Sequence, residues 1–184
     1  MKEIPTGIDD LTIIERKKLL DDRGFLERMF CTSEFRNVLE SRAVCQVNHT
    51  LTKKAGTVRG LHFQHPPFAE TKLVSCIKGS VFDVALDIRK DSETFLQYFS
   101  ITLTADNPVT LCIPEGFAHG FQTLEPDCEM LYFHTAPYNA ESEGAINALD
   151  PLVNVAWPLP VSERSERDTG TDFISEKFQG VPKS

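Results

Sequence analysis

Several hallmarks of common protein classes are missing from this sequence of 184 residues. There is no apolar run of about 18 residues, as a membrane-spanning helix requires, and Met1-Lys2-Glu3-Ile4-Pro5 does not resemble the start of a secretory signal peptide. Basic residues are not in excess either, because the formal net charge is −8. That charge argues against general binding to nucleic acid or to a membrane surface, although a local basic pocket could still hold an anionic ligand.

Paired cysteine motifs are missing as well. The sequence has five cysteines, an odd number at irregular spacing with no Cys-x-x-Cys pair, mostly in apolar surroundings. Cysteines of this kind are typical of reduced structural thiols in a reducing compartment. We therefore expect a cytoplasmic protein whose thiols remain reduced; they belong to Cys31, Cys45, Cys76, Cys112 and Cys128.

Strand patterns fill most of the chain and are separated by turn residues about every eight to twelve positions. Helical patterns are limited to residues 34–39 and 162–168. The clearest strand covers residues 81–88, where alternation predicts that Phe82, Val84, Leu86 and Ile88 face the core and Asp83, Ala85 and Asp87 face the other way. We predict an all-β antiparallel sandwich or barrel with a few short peripheral helices, in one domain spanning 1–184 with a core at about 10–160 and a C-terminal segment at 161–184.

Two histidines stand in similar surroundings. His62 lies in the alternating stretch 56–64, and His119 follows a Pro/Gly turn in the stretch 113–121. Gly60, on the same predicted face as His62, leaves room for a close approach. Two strands that each deliver a histidine predict one shared pocket.

Longer motifs resemble one family. Pro114-x-Gly116-x-x-His119 is similar to the second signature of the cupin jelly rolls, and the stretch from Gly56 to His62, with Gln64 and Glu70, is similar to a degraded first signature. A larger ordered set between Asp22 and about Trp157 resembles the dTDP-4-dehydrorhamnose 3,5-epimerase (RmlC) family: Arg59-Gly60-Leu61-His62-Phe63-Gln64, Lys72-Leu73-Val74, Phe82-Asp83-Val84-Ala85-Leu86-Asp87-Ile88-Arg89, Ile113-Pro114-Glu115-Gly116-Phe117-Ala118-His119-Gly120-Phe121 and Asp150-Pro151.

This resemblance implies a fold and a function. The implied fold is a cupin-type jelly roll in a homodimer, with the N-terminal strand that carries Arg23 exchanged between subunits. The implied activity is epimerisation at C3 and C5 of a nucleotide-linked 4-keto-6-deoxyhexose, with a dTDP-sugar as substrate. Neither a cofactor nor a metal is expected, and neither are nucleic-acid or membrane partners.

The implied inversion requires three functional groups. Inversion beside a ketone needs a base for the C–H proton, a partner for the enolate oxygen and an acid on the opposite face. His62 suits the base and Lys72 the oxyanion partner, while Tyr132 matches the family's proton donor. Each also has a plainer interpretation, as a hydrogen-bonded structural histidine, a surface lysine and a core aromatic residue.

The resemblance also suggests binding residues. Arg23 and Arg59 match arginines that hold the diphosphate, which suits the forked guanidinium. His119 is expected to be a wall of the sugar site, and Tyr138 to border the sugar or simply to pack. The positions that resemble contacts to the base and ribose are Phe25, Glu27, Gln46 and Asn48.

One motif departs from the family pattern near the C-terminus. The family's Ser-Glu-Lys-Asp run ends in an aspartate that supports the base histidine, whereas residues 162–165 of this chain read Ser-Glu-Arg-Ser. Serine cannot carry the negative charge that stabilises an imidazolium. Asp168 or Asp83 is then expected to take over, with Asp168 favoured, or the activity is altered.

Other functions stay open at this point. Close alternatives are a one-centre 3-epimerase and an epimerase acting on another nucleotide sugar. A metal-dependent cupin oxygenase would need ligands from His62, Gln64, Glu70 and His119, among which Gln64 is poor. A non-catalytic sugar-nucleotide binding protein is a further alternative, which the serine at position 165 supports.

Overall fold

The computed structural model describes residues 1–182, so Lys183 and Ser184 of the predicted domain lie outside the described residues. The described chain consists mainly of short strands joined by turns. Two four-residue helices, α1 (Arg36–Leu39) and α2 (Glu166–Thr169), are present. The strands are β1 (Lys2–Pro5), β2 (Thr12–Glu15), β3 (Lys18–Asp21), β4 (Gly24–Glu27), β5 (Gln46–Thr52), β6 (Val58–Gln64), β7 (Lys72–Lys78), β8 (Ser80–Asp87), β9 (Tyr98–Thr104), β10 (Val109–Ile113), β11 (Phe117–Thr123), β12 (Cys128–His134) and β13 (Glu143–Ala145).

The strands form two antiparallel sheets and a separate hairpin. One sheet has six strands in the order β1-β2-β10-β7-β12-β5, and the other has five in the order β13-β6-β11-β8-β9. The β3-β4 hairpin pairs with neither sheet. This arrangement confirms the predicted all-β jelly roll. Neither helix in residues 1–182 has the length and apolar character needed to cross a membrane.

The main core lies between the two sheets. Val74, Leu111 and Met130 of the six-stranded sheet pack there with Ala85 and Phe121 of the five-stranded sheet. All five side chains are almost fully buried. This core holds the sheets together beside the polar cavity described below.

Strand β8 is buried on both faces. As predicted, Val84 and Leu86 lie in a hydrophobic core, but that core forms between the five-stranded sheet and the later chain segment that includes Val153 and Val155. The opposite face, with Asp83 and Ala85, is turned towards the space between the sheets and is also buried. Alternation therefore identified which residues share each face of β8, but it did not show that other parts of the chain cover both faces.

The short elements were the least accurately predicted. The helix expected at 34–39 begins at Arg36, and its N-cap is Phe35, whose side chain makes no capping bond. Strands β1 and β13 were not predicted, since they have four and three residues and no long alternation. The helical pattern at 162–168 becomes α2, which begins after an N-cap at Ser165.

Candidate active site

A polar cavity of about 1070 Å³ opens between the two sheets. Residues from β5, β6, β7, β11 and β12 line it together with α2. His62 and His119 are directly opposite each other on paired strands, which confirms that the two histidines share one pocket. The predicted residues that line the cavity are Gln46, Asn48, Arg59, His62, Lys72, His119, Tyr132, Tyr138 and Asp168.

Gly60 makes room for a close approach, as the sequence predicted, and the group that approaches is the backbone of β11. The φ of Gly60 is +120°, and a Cβ atom there would lie 2.6 Å from Gly120 Cα. The glycine therefore allows the backbones of β6 and β11 to approach closely, and this approach sets the positions of His62 and His119.

His62 is hydrogen-bonded to Asp168. Its Nε2 lies 2.7 Å from Asp168 Oδ1, and Asp168 is 3% exposed. Burial acts to raise the pKa of Asp168, but the hydrogen bond and the charge of His62 outweigh it, so the pKa is lowered and the carboxylate is ionised at neutral pH. The second Asp168 oxygen accepts from the Gly60 amide at 3.4 Å.

The expected loss of the supporting aspartate was an error of register. Helix α2 begins after Ser165, whose hydroxyl accepts from the Asp168 backbone N–H at 3.1 Å. Ser165-Glu166-Arg167-Asp168 thus fits the family's Ser-Glu-Lys-Asp pattern, with arginine in place of lysine. The chain repeats Ser-Glu-Arg at 162–164 and 165–167, and the first copy was matched instead of the second.

Arg167 is a cavity residue that sequence reasoning missed. Its Nη2 lies 2.9 Å from Nε2 and 3.3 Å from Nδ1 of His62, and its Nη1 binds both carboxylate oxygens of Glu143 at 2.7 and 2.8 Å. Glu143 also accepts from the Tyr138 hydroxyl at 3.2 Å. The second Ser-Glu-Arg repeat was the available signal.

Asp83 pairs with His119 and not with His62. His119 Nε2 lies 2.9 Å from Asp83 Oδ2 and 3.1 Å from Oδ1, and both side chains are buried. The alternative that Asp83 supports His62 is therefore wrong. Each cavity histidine instead has its own carboxylate.

Lys72 belongs to a buried polar network. Its Nζ lies 3.2 Å from Glu70 Oε1 and donates to the His62 carbonyl oxygen at 3.3 Å. The other Glu70 oxygen lies 2.7 Å from His134 Nδ1. Burial acts to raise the pKa of Glu70, but the bond from His134 and the charge of Lys72 outweigh it and lower that pKa. Lys72 is thus a fixed cavity cation and not a surface lysine.

Tyr132 lies deep in the cavity. It is 9% exposed, and its ring stacks on that of His134 with the centroids 6.1 Å apart. Burial raises its pKa well above the usual range of a phenol, so Tyr132 keeps its proton at neutral pH.

One side of the cavity carries a cluster of basic side chains, although the net charge of the whole chain is −8. Lys53, Lys54, Arg59 and Arg164 all line the cavity, together with one acid, Glu163, which pairs with Lys54 at 3.3 Å. Arg59 Nε donates to Thr52 Oγ1 at 2.9 Å, which orients the guanidinium at the end of β6. This cluster can attract an anionic ligand such as a diphosphate.

Three predicted binding residues lie outside the cavity of this chain. Arg23 and Phe25 lie on the β3-β4 hairpin, where the Arg23 side chain is 89% exposed and binds Asp21. Glu27 forms a buried ion pair with Arg16 at 2.8 Å. Glu27 therefore lies outside the cavity of its own chain, and its predicted contact with the nucleotide stays a prediction.

The four residues that an oxygenase would need as ligands are otherwise engaged. His62 and His119 are paired with aspartates, and Glu70 is shared by His134 and Lys72. The Gln64 amide donates to two backbone carbonyls, those of Phe68 and Pro137. Among residues 1–182, no three His, Cys, Asp or Glu side chains are grouped so as to hold a metal.

Acid should weaken the fold through Asp168 and Glu70. Their pKa values are lowered in the folded state, so their contribution to stability is complete above about pH 4–5, where these groups ionise in the unfolded chain, and is lost as the pH falls further. Urea unfolding between pH 3 and pH 6 should show this decline. Asp168→Asn and Glu70→Gln should each flatten it, whereas the exposed Glu176→Gln should not; equal slopes in all variants would contradict the assignment.

Comparison with known proteins agrees with this geometry. The family model described as dTDP-4-dehydrorhamnose 3,5-epimerase matches residues 5–176. An enzyme of that name from Salmonella typhimurium is 41% identical over 175 residues, which cover 94% of this chain and 95% of the relative.

Solved structures are similar as well. The dTDP-6-deoxy-D-glucose-3,5-epimerase of Legionella pneumophila, in complex with dTDP-4-keto-L-rhamnose, has a TM-score of 0.91 at 36% identity, covering 100% of this chain and 99% of its own. A 3'-monoepimerase from Streptomyces bikiniensis, in complex with dTDP-quinovose, has a TM-score of 0.84 at 27% identity, covering 92% and 86%. Because the family model spans nearly the whole sequence and the relatives match along their length, this chain belongs to the dTDP-4-dehydrorhamnose 3,5-epimerase family.

Proposed function

We propose that the protein inverts C3 and C5 of a dTDP-linked 4-keto-6-deoxyhexose. The observation that carries the proposal is the placement of His62, with its buried Asp168, in one cavity with Lys72 and Tyr132. These are the base, the oxyanion partner and the acid that the reaction needs. The names of the relatives support the same reaction and the same nucleotide.

His62 removes the proton next to the ketone. Asp168 can only accept a hydrogen bond, so Nε2 of His62 carries the proton of that pair and Nδ1 is the basic nitrogen. Arg167 Nη2, a donor 3.3 Å from Nδ1, must be displaced by the bound sugar before Nδ1 can take the proton. As Nδ1 takes the proton, the C–H electron pair moves into the enolate and Asp168 stabilises the imidazolium. The buried carboxylate also fixes the tautomer of the ring.

Lys72 stabilises the enolate oxygen. An ammonium group has three N–H donors, and two directions are taken by Glu70 and the His62 carbonyl. The third donor is available for the C4 oxygen of the sugar. Because Lys72 is held from two sides, its charge is in place before the enolate forms.

Tyr132 returns a proton to the opposite face of the sugar. The phenol O–H bond breaks, a new C–H bond forms, and the negative charge passes to the phenolate. Solvent then restores the proton of Tyr132 and removes that of His62. Repetition at the second carbon completes the double inversion.

The basic side of the cavity suits the nucleotide diphosphate. Arg59 is our candidate for its main anchor, with Lys53 and Lys54 nearby. We assign Gln46 and Asn48, on the cavity face of β5, to the base and ribose. His119 and Tyr138 are assigned to the walls of the sugar site.

A homodimer would complete this site. The β3-β4 hairpin exposes Leu20, Phe25 and Leu26 at 79%, 61% and 69%, which is unusual for large apolar residues on so small an element. Strand β5 is an edge of its sheet and exposes Val47 and Leu51 at 54% and 45%. We propose that the partner's hairpin covers this edge and brings its Arg23 and Phe25 to the nucleotide.

Leu26→Glu should separate the dimer, because a charge on the apolar hairpin would be buried on association. Light scattering should give twice the mass of one chain for the wild type and one mass for the variant. Affinity for dTDP should fall at least about tenfold, since charge-assisted hydrogen bonds to phosphate are worth about 1.5–3 kcal/mol. Leu152→Glu, at a residue 60% exposed outside the hairpin, is the control; a monomeric wild type would contradict the dimer.

The cysteines support a reducing compartment. All five are free, and Cys76, Cys112 and Cys128 are buried. Burial raises the pKa of the Cys76 thiol to about 12, so it is unreactive at neutral pH. We propose that the protein acts in the cytoplasm, without a redox cofactor.

Product analysis tests the proposed function. Wild-type protein is incubated with dTDP-4-keto-6-deoxy-D-glucose, and the configurations at C3 and C5 are read from proton NMR couplings. Inversion at both carbons is expected, with slower turnover of the matched UDP sugar. Inversion at C3 alone would replace the proposal by one-centre epimerisation, and binding without any conversion would replace it by a binding function.

A further inference from the structure

Thr50 has a buried hydroxyl with no well-formed hydrogen bond among residues 1–182. Its Oγ1 is shielded from solvent, and no described residue offers it a hydrogen bond of good geometry. Thr50 lies on β5 and lines the cavity. Buried hydroxyl groups usually have partners, because leaving one unpaired destabilises the fold.

The strand register places this hydroxyl beside Tyr132. Asn48 lies directly opposite Tyr132 in the β5-β12 pair, and Thr50 lies opposite Met130. Asn48 and Thr50 are two residues apart, so both side chains project on the cavity face together with Tyr132 and Met130. The Thr50 hydroxyl is thus a diagonal neighbour of the Tyr132 ring.

The two hydroxyl groups are close enough to interact, although their contact falls short of a well-formed hydrogen bond. Burial is the largest influence on the Tyr132 pKa and raises it, and the Thr50 hydroxyl is the strongest group acting to lower it. Arg59 also lowers this pKa, whereas the charge of Asp83 raises it. A donor that lowers a phenol pKa does so by stabilising the phenolate.

We propose that Thr50 is a positioning residue for Tyr132, whose phenolate accepts a hydrogen bond from the Thr50 hydroxyl after the phenol has given its proton to the sugar carbon. This inference rests on the proposed function. The Tyr132 O–H bond breaks, the C–H bond forms with the enolate electron pair, and the charge moves to the phenolate oxygen. Thr50 itself neither gains nor loses a proton.

This role explains why the hydroxyl is unpaired in the free protein. Neutral Tyr132 needs no donor for its own oxygen, but the phenolate does. Most of the catalytic value of such a donor appears only as charge develops, because the hydrogen bond to an ion is roughly twice as strong as a neutral one.

The test removes the hydroxyl and keeps the shape. Thr50→Val replaces the hydroxyl with a methyl group of similar size, Thr50→Ala removes both the hydroxyl and the methyl group, and Thr50→Ser removes only the methyl group. Thr102→Val, on the exposed face of β9, is the matched control. For each variant, net inversion of dTDP-4-keto-6-deoxy-D-glucose is followed by NMR, and solvent exchange of its C–H protons is followed by mass in D2O.

We expect Thr50→Val and Thr50→Ala to lower kcat for net inversion at least about tenfold while KM and C–H exchange remain near wild type. Exchange survives because His62 acts before Tyr132. Thr50→Ser should keep inversion near the wild-type rate, and Thr102→Val should behave as wild type.

Three results would overturn the inference. One is normal inversion in both hydroxyl-free variants. Another is an equal loss of exchange and inversion that Thr50→Ser shows as well, since that pattern indicates a packing role. A wild type that exchanges no deuterium would overturn the proposed function and this inference with it. Either of the first two results, obtained with an active wild type, would overturn the inference alone.

Discussion

Replacing His62 with alanine should abolish solvent exchange of the sugar C–H protons and lower kcat at least about 100-fold, the lower range of what a general base contributes. The reason is geometric, because His62 is the histidine whose carboxylate partner lies on α2 at 2.7 Å within the cavity. Mass measurement of deuterium uptake and NMR of the product both report the loss. Affinity for dTDP should change little, since the basic side of the cavity is untouched.

His65→Ala is the matched control for this variant. His65 follows β6 at the protein surface, where it is exposed and its ring contacts that of Phe63 edge-on, with the centroids 4.9 Å apart. It should exchange and invert at the wild-type rate. If His62→Ala also kept normal exchange, another group would be the base and the assignment would fail.

Asp168→Asn should lower kcat at least about tenfold and up to about 10⁴-fold, with little change in KM. Asparagine can hold the ring through its oxygen or its amide, so the tautomer is no longer fixed, and it carries no charge to stabilise the imidazolium. Steady-state kinetics with circular dichroism as a folding check measure the effect. The exposed Asp172→Asn is the charge-matched control.

Asp83→Asn separates the two histidine pairs. Asp83 is bonded to His119, so its loss should leave C–H exchange by His62 intact. Should Asp168→Asn keep the wild-type rate while Asp83→Asn loses exchange, the pairing seen in the structure would not be the one that matters for catalysis.

The positions of the longer strands were largely accessible from alternation, but the pairing of side chains was not. Alternation identified β8 correctly, yet both faces of this strand are covered, because a later segment with Val153 and Val155 packs on the side away from the other sheet. Such coverage depends on where a loop returns, which no local pattern records. Strands β1 and β13 were missed because segments of four and three residues are too short to show alternation.

The site was predicted mainly through family motifs, and its supporting residues were not. Glu70 and His134 are 64 residues apart in the chain, and their contact exists only because β7 and β12 are neighbours. The support of His62 was identified as a choice between Asp168 and Asp83, since the tandem Ser-Glu-Arg repeat hid the correct register. The hydroxyl of Thr50 lacks a well-formed hydrogen bond, which is visible only in three dimensions.

The most direct test of the account is the number and position of deuterium atoms that wild-type protein places in dTDP-4-keto-6-deoxy-D-glucose in D2O. Double inversion through His62 and Tyr132 predicts one deuterium at C3 and one at C5 of the product, and none with His62→Ala. Mass spectrometry counts the atoms and NMR locates them. Uptake at one carbon only, or uptake that persists without His62, would contradict the account.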